Sequence, residues 1–209
     1  MRSSRRGRRA AATREEVLAL AMHHYLRGLR VDVQAIALEL GLGRTTIYRW
    51  FGSRDGLIGE VVVGAAEPLL EEARRGARGA GPQALLDTFD RFNRSIASST
   101  ALQRFVERER GAALRVITSS GGRVQPRIVA MITALIAEEV SAGAYAPPVD
   151  AATLGYAIVR LAEAFLFNDA AAGIRGDVDR LRHVEAALLG IGSATRGDLR
   201  PARRGHSTR

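Results

Sequence analysis

Apolar residues recur at intervals of three and four along most of the chain, which is the spacing of one face of an α-helix. No segment shows the strict alternation of apolar and polar residues that is typical of a half-buried strand. The clearest break is residues 74–82, which are rich in arginine and glycine and end in proline. The pattern therefore predicts an all-α fold of about nine helices, with a small N-terminal head and a larger C-terminal unit.

Signals for helix ends are clear in the N-terminal part of the chain. Thr13 and Glu16 form a predicted capping box at the start of the first helix, and Gly28 ends that helix. Asp32 is suited to cap a short second helix, and Ser53 to cap a fourth. The first three helices form the predicted head.

Five longer helices are predicted after the break. They start after Pro82 and near Thr100, and then cover about residues 124–142, 150–171 and 177–189. Thr100 and Gln103 are consistent with a second capping box, and the helix that starts there is expected to run unbroken to residue 118.

Two short helices joined by a tight turn are typical of a helix-turn-helix. Residues 34–40 are followed by the turn 41–43 and then by a helix over 44–51. In this motif the first helix crosses the DNA backbone and the second lies in the major groove. Arginine donates to guanine edges, threonine contacts bases or a thymine methyl, and a tyrosine hydroxyl suits a phosphate. The polar candidates on the second helix are Arg44, Thr45, Thr46, Tyr48 and Arg49.

The stretch from Gly28 to Leu57 resembles the DNA-binding unit of the TetR family of bacterial regulators. The matching positions are Ile36, Ala37, Gly41, Thr46, Ile47, Tyr48, Phe51, Ser53, Arg54 and Asp55. Two positions depart from the family pattern, since Gly43 stands where a capping serine or threonine is frequent and Trp50 stands where histidine is common.

This resemblance implies roles for individual side chains. Arg44, Thr45 and Thr46 are expected to face bases. Tyr48 and Trp50 are expected to flank phosphates, and Arg54 is expected to add a contact to the DNA backbone. Packing in the core of the head is the alternative role for Tyr48 and Trp50.

The rest of the chain resembles the family more loosely. From Leu85 through Phe167 the pattern is similar to the branch named for regulating quorum-sensing signal degradation. The resemblance implies a DNA-binding domain over residues 13–60 and a ligand-binding and dimerisation domain over 61–190. Residues 1–12 and 191–209 are expected to be disordered basic tails.

The helix predicted over residues 150–171 is apolar on two opposite faces, which indicates burial on all sides. Either it is the central helix of a monomer, or one face meets its own domain and the other meets a second subunit. We expect the dimer, because a helix-turn-helix usually reads paired half-sites. The predicted dimer interface consists of Leu154, Ile158, Leu161, Phe165, Leu181, Val184 and Leu188.

Charged residues within apolar stripes predict a site for a small molecule. A buried carboxylate is costly unless it is paired, and Arg160 is the expected partner of Glu109. A structural ion pair in an ordinary core is the alternative. The predicted ligand-binding residues are Phe89, Phe92, Phe105, Glu109, Met131, Leu135, Tyr156, Arg160 and Glu163.

The net charge of +9 is concentrated in the two tails. Residues 1–12 carry five arginines and no acid, and residues 191–209 carry five arginines and one aspartate. Residues 13–60 and 61–190 are each formally neutral. A basic tail either follows the phosphate backbone through counterion release or only keeps the protein in solution.

Together these features predict a sequence-specific transcriptional regulator that binds a double-stranded DNA operator as a homodimer. We expect a cytoplasmic repressor that a small apolar ligand, such as a lactone or an acyl compound, releases from DNA. The alternative is a nonspecific nucleic-acid-binding or nucleoid protein driven by the arginine-rich tails. No catalytic motif, cofactor fingerprint, metal-ligand pattern or membrane span is visible, and the absence of lysine and cysteine excludes Schiff-base chemistry and disulfides.

Overall fold

The computed structural model describes residues 12–168 and 176–192. Within these ranges the chain forms ten α-helices and no β-strand, so the predicted all-α class is confirmed. The helices are α1 (Arg14–Leu26), α2 (Val33–Glu39), α3 (Arg44–Phe51), α4 (Arg54–Gly76), α5 (Pro82–Ser98), α6 (Thr100–Arg108), α7 (Arg110–Thr118), α8 (Val124–Ser141), α9 (Ala151–Glu163) and α10 (Val178–Leu188). A π-helical turn (Ala164–Asn168) extends α9. Most of both predicted tails, and the predicted end of the 150–171 helix, lie outside the described residues.

The predicted caps of the head are present. Thr13 and Glu16 form the capping box of α1, with each side chain bonded to the backbone N–H of the other residue. Asp32 accepts bonds from the first turn of α2, and Ser53 accepts a 2.9 Å bond from the backbone N–H of Gly56 in α4. Each such cap stabilises its helix by about 1 kcal/mol, so short helices are fixed here by local sequence.

The head is packed around a solid core that extends into the larger unit. Val17, Ile36, Ile47 and Phe51 are each at most 1 % exposed. The same apolar cluster continues through α4 to Phe105 and other side chains of α6 and α7. Full burial of such side chains is worth about 1.5–3 kcal/mol each, which makes the head and the adjoining helices one packed body.

Helix α4 is shared by both units. It is 23 residues long, and the predicted domain boundary at residue 60 falls inside it. Ile58 and Val61 belong to the apolar cluster of the head, whereas Ala66 and Leu70 belong to a second cluster formed with α5, α8 and α9. Pro68 lies inside α4, between Ala66 and Leu70 of the second cluster.

The helix expected to run from Thr100 to residue 118 is in fact two helices, and this correction raises the count from about nine to ten. The break lies at Glu109, whose backbone leaves the helical region at φ −135° and ψ 46°. The predicted capping box is also wrong, because Ser99 caps α6 and Gln103 donates instead to the carbonyl of Ala97. Adjacent serine and threonine residues offered two equivalent caps, and the sequence pattern could not rank them.

Helices α8 and α9 pack closely against each other in the larger unit. Gly155 lies at their contact, where a Cβ atom would be only 3.2 Å from the Cα atom of Thr133. The absence of a side chain at this position therefore allows the close approach of the two helices.

Candidate DNA-binding and ligand-binding sites

The geometry of α2 and α3 is that of a helix-turn-helix. Helix α2 ends at Leu40, Gly41 takes the left-handed backbone conformation (φ +65°), and α3 begins three residues later. Ile47 and Phe51 bury one face of α3 in the core of the head. The opposite face of α3 is therefore free for a partner.

The predicted base-reading side chains lie on that free face. Arg44, Thr45 and Arg49 are exposed, and Thr46 is half-buried. Gly43 makes no side-chain cap to α3, in agreement with the expected departure from the family pattern.

Tyr48 and Trp50 differ in their surroundings. Tyr48 is 42 % exposed, so it does not pack in the core of the head. Trp50 is half-buried and packs on the apolar cluster of the head, so it combines a packing role with a partly accessible edge.

Arg54 forms two hydrogen bonds within the chain. Its Nε atom donates to the carbonyl of Val31 at 2.8 Å, and an Nη atom donates to Glu109 at 2.8 Å. These bonds join the head to the break between α6 and α7, with Arg30 lying 3.8 Å from the same carboxylate. They use two of the five N–H donors of Arg54, so its contact with the DNA backbone stays a prediction.

The predicted pair of Glu109 and Arg160 does not form. Glu109 binds Arg54, whereas Arg160 donates to Glu163 at 2.7 Å and to the carbonyl of Thr118 at 3.3 Å. The prediction treated residues 100–118 as one straight helix, and the break at Glu109 turns this side chain toward α4. The alternative of a structural ion pair therefore describes Glu109.

The larger unit contains an apolar cavity of about 80 Å³. Its walls come from α4 to α10, and three of the predicted ligand-binding residues, Phe89, Phe92 and Glu163, line it. The other six do not, which corrects the prediction. Phe105 and Glu109 line a smaller cleft near Val31, and Leu135 lines a separate groove. Met131 packs against the core of the larger unit, and Tyr156 is 51 % exposed. Arg160 is not part of the cavity lining.

Three polar side chains of the cavity were missed: Asn93, Gln125 and Glu185. Glu185 lies on α10 and is completely buried. Its Oε1 atom accepts a 3.0 Å bond from the side-chain amide of Asn93, while its Oε2 atom has no partner in the described part of the chain. Burial raises the pKa of Glu185 to about 7. A signal was present, since Glu185 stands four residues after Leu181 on an otherwise apolar stripe.

The second carboxylate of the cavity is fully partnered. The side-chain amide of Gln125 lies 3.1 Å from both carboxylate oxygens of Glu163 and also donates to the carbonyl of Thr118. Arg160 adds the ion pair from the outer side. Burial raises the pKa of Glu163 above its ordinary value, with these partners opposing the shift.

Most of the predicted dimer residues lie inside a single chain. Leu154, Ile158, Phe165 and Leu181 are each at most 7 % exposed, so they have no surface left for a partner, and we correct the prediction for these four. Leu161, Val184 and Leu188 are half-buried and retain accessible surface. The sequence could not show which apolar face of α9 meets its own domain.

A helix-turn-helix head joined to a larger helical unit with an apolar cavity is typical of a class of DNA-binding transcription regulators. Comparison with known proteins agrees with this class. Residues 80–190 match the family model described as Tetracyclin repressor-like, C-terminal domain. A search of curated protein sequences gave no match.

Two solved structures are similar to the chain. The transcriptional repressor QsdR of the TetR family from R. erythropolis is 30 % identical, with a TM-score of 0.79 over 85 % of this chain and 94 % of that one. AlkX, a TetR family repressor from Dietzia sp. strain DQ12-45-1b implicated in biodegradation of n-alkanes, is 24 % identical, with a TM-score of 0.58 over 86 % of this chain and 96 % of that one. The chain belongs to the TetR family of transcription regulators.

Over residues 12–168 and 176–192, no helix has the length and hydrophobicity needed to cross a lipid bilayer.

Proposed function

We propose that the chain is a sequence-specific repressor whose operator binding is weakened when a small apolar ligand enters the cavity. One observation carries the proposal: Val62 and Ala66 of α4 line the cavity, while Leu57 and Ile58 of the same helix pack in the core of the head. A ligand that changes the position of α4 therefore acts on the head through a continuous helix. Its effect is limited by its difference in affinity for the two arrangements.

For DNA recognition we propose that α3 enters the major groove. The exposed Arg44 and Arg49 and the hydroxyls of Thr45 and Thr46 are available for base edges. Tyr48 is available for a phosphate. Since residues 13–60 are formally neutral, binding by the head depends on the positions of these side chains and not on its net charge. The arginine-rich tails supply general attraction to DNA.

We further propose that the operator is read by a homodimer. Leu161 on α9 and Val184 and Leu188 on α10 are half-buried and retain accessible apolar surface. Two heads held by such an interface match paired half-sites about one helical turn apart.

Lactones and acyl compounds are the first candidate ligands, because the cavity combines an apolar lining with a few polar groups. The experiment selects an operator from genomic DNA and titrates γ-decalactone and decanoic acid into the protein–operator complex. Loss of the complex at ligand concentrations that saturate direct binding is expected. Unchanged operator affinity at saturation by every compound that binds would rule out ligand control.

The same assay separates a regulator from a nonspecific DNA-binding protein. A regulator keeps roughly a thousandfold preference for its own site over random duplex at physiological salt. Equal affinity for both duplexes would instead assign binding to the basic tails.

A further inference from the structure

Glu185 carries a fully buried oxygen without a partner, which no other side chain lining the cavity has in the described part of the chain. The side chain lines the cavity, is 0 % exposed, and its Oε2 atom has no hydrogen bond in the described part of the chain. A buried acceptor without a donor costs about 1–3 kcal/mol, and more if it is charged. The cavity therefore contains a strong acceptor that a ligand could satisfy.

Within residues 12–168 and 176–192, no arginine forms an ion pair with this carboxylate. Asn93 donates one bond to Oε1 and is itself neutral. Arg182 attracts Glu185 from the same helix, but it lies 3.5 Å from Asp90, and Asp90 repels Glu185. Arg94 of α5 is likewise bonded to Asp90.

The charged groups on the other packed elements do not neutralise it either. From α9, Glu163 faces the same cavity and is paired with Arg160. The described side chains of the π-helical turn are uncharged. The charged lining of the cavity is therefore acidic, and Phe89, Phe92 and Phe167 add aromatic rings, whose faces attract cations.

We propose that the ligand of this cavity is an amphipathic amine whose ammonium group donates to Oε2 of Glu185 while its apolar part lies among the phenylalanines. This inference rests on the proposed ligand-binding function and specifies its chemistry. It favours an amine over a lactone or a carboxylic acid, because a lactone ring has no donor and a carboxylate would face two acidic side chains.

Binding of the amine depends on pH in a defined direction. Burial raises the pKa of Glu185 to about 7, so the carboxyl group loses its proton between pH 6 and pH 8. A primary alkylamine keeps its proton over this range, as lysine does with a pKa of about 10.4. Affinity for the amine should therefore rise by about tenfold from pH 6 to pH 8.

The test compares three probes with the same apolar chain: n-octylamine, n-octanol and n-octanoic acid. Each is titrated calorimetrically into the full-length protein at pH 6 and pH 8, below its micelle concentration. We expect n-octylamine to bind at least about tenfold more tightly than n-octanol at pH 8, since a charge-assisted bond is worth about 1.5–3 kcal/mol. Equal affinity for amine and alcohol, or tightest binding of the acid, would overturn the proposal.

Two matched variants locate the effect. Glu185→Gln keeps the size of the side chain and an acceptor for Asn93 but cannot ionise, so it should lose the amine preference and its pH dependence. Glu71→Gln changes an exposed carboxyl group of α4 outside the cavity lining and should keep both. An unchanged amine preference in Glu185→Gln would contradict the assignment.

The outcomes also separate this inference from the proposed function. Octylamine that binds through Glu185 but leaves the operator complex intact would support the amine site and oppose ligand-controlled repression. Release of the operator by γ-decalactone, with no preference for the amine, would support ligand control and oppose the amine site.

Discussion

The first turns of α4 lie in a tightly packed head, whereas its middle turns form one wall of a cavity. Leu57, Ile58 and Val61 are completely buried among apolar neighbours. Val62 and Ala66 lie further along the same helix and line the cavity. A larger side chain strains a packed core, whereas a cavity has room for added atoms. The chain thus combines a rigid DNA-reading part with a receptive part on one helix.

The two buried glutamates show the same contrast on a smaller scale. Glu163 is held by Gln125 and Arg160, and Glu185 by Asn93 alone. Both lie in the receptive part, but only Glu185 has an oxygen without a partner among the described residues. Substitutions in the two parts should therefore differ in size and in pH dependence.

The largest effect is expected for Glu185→Gln. Because the pKa of Glu185 rises from 4.5 to about 7 on folding, the bound proton stabilises the fold at low pH, and this stabilisation is lost as the pH rises through 7. Relative to the wild type, the variant should gain about 2–3 kcal/mol in the free energy of unfolding between pH 5 and pH 8. Urea denaturation at both pH values measures this gain, and a difference that does not change with pH would show that folding does not raise the pKa of Glu185.

The next largest effect concerns added volume. Ala21→Leu places a larger side chain in the packed head and should lower the free energy of unfolding by about 1–3 kcal/mol. Ala66→Leu extends into the cavity and should change it by less than about 1 kcal/mol while reducing ligand binding. Thermal and urea unfolding of the pair test this comparison. Equal destabilisation by both substitutions would mean that the cavity region is as tightly packed as the head.

The junction between the two parts should give an intermediate effect. Glu109→Gln weakens the bond to Arg54, which is about one quarter exposed, and should cost about 1 kcal/mol. The matched change Glu107→Gln alters an exposed neighbour and should stay within about 0.5 kcal/mol. Urea denaturation of the two variants distinguishes them. Identical denaturation midpoints for the two variants would show that the ion pair does not contribute to the stability of the fold.

An effect no larger than this is expected on the face of α3 that we propose to contact DNA. Tyr48→Phe removes the hydroxyl proposed to bind a phosphate and should weaken binding by about 1 kcal/mol or less on every DNA sequence. Arg44→Ala should instead change which bases are preferred. Binding of both variants to the operator and to single-base substitutions of it provides the measurement. Intact operator affinity in both would show that α3 is not the recognition helix.

Much of the fold could be predicted because its helix ends are encoded locally. Thr13, Asp32 and Ser53 cap their helices within three residues of chain, and the helix-turn-helix follows from the spacing between them. The ligand site could not be predicted to the same degree. Its decisive contacts join distant residues, such as Asn93 and Glu185, which are 92 positions apart.

Errors arose where an apolar pattern had more than one interpretation. Helix α9 is apolar on two faces, and the sequence could not show that Leu154 and Ile158 belong to the core of one chain. The break at Glu109 was also hidden, because no proline stands near it and the nearby Gly111 lies inside α7 rather than at the break. In both cases the structure depends on contacts with residues far away in the sequence, which decide which face of α9 is buried and how Glu109 is bonded.

Pro68 gives α4 a mechanical property that a regular helix would lack. Proline has no backbone N–H, so the carbonyl of Gly64 loses its usual partner in the helix, and the turn between these residues is the easiest one to bend. The 23 residues of α4 span about 35 Å, comparable to one turn of the DNA double helix. Only about 15 Å of helix separates Gly64 from Arg54 at the start of α4, so a bend at this turn would shift the head relative to the cavity.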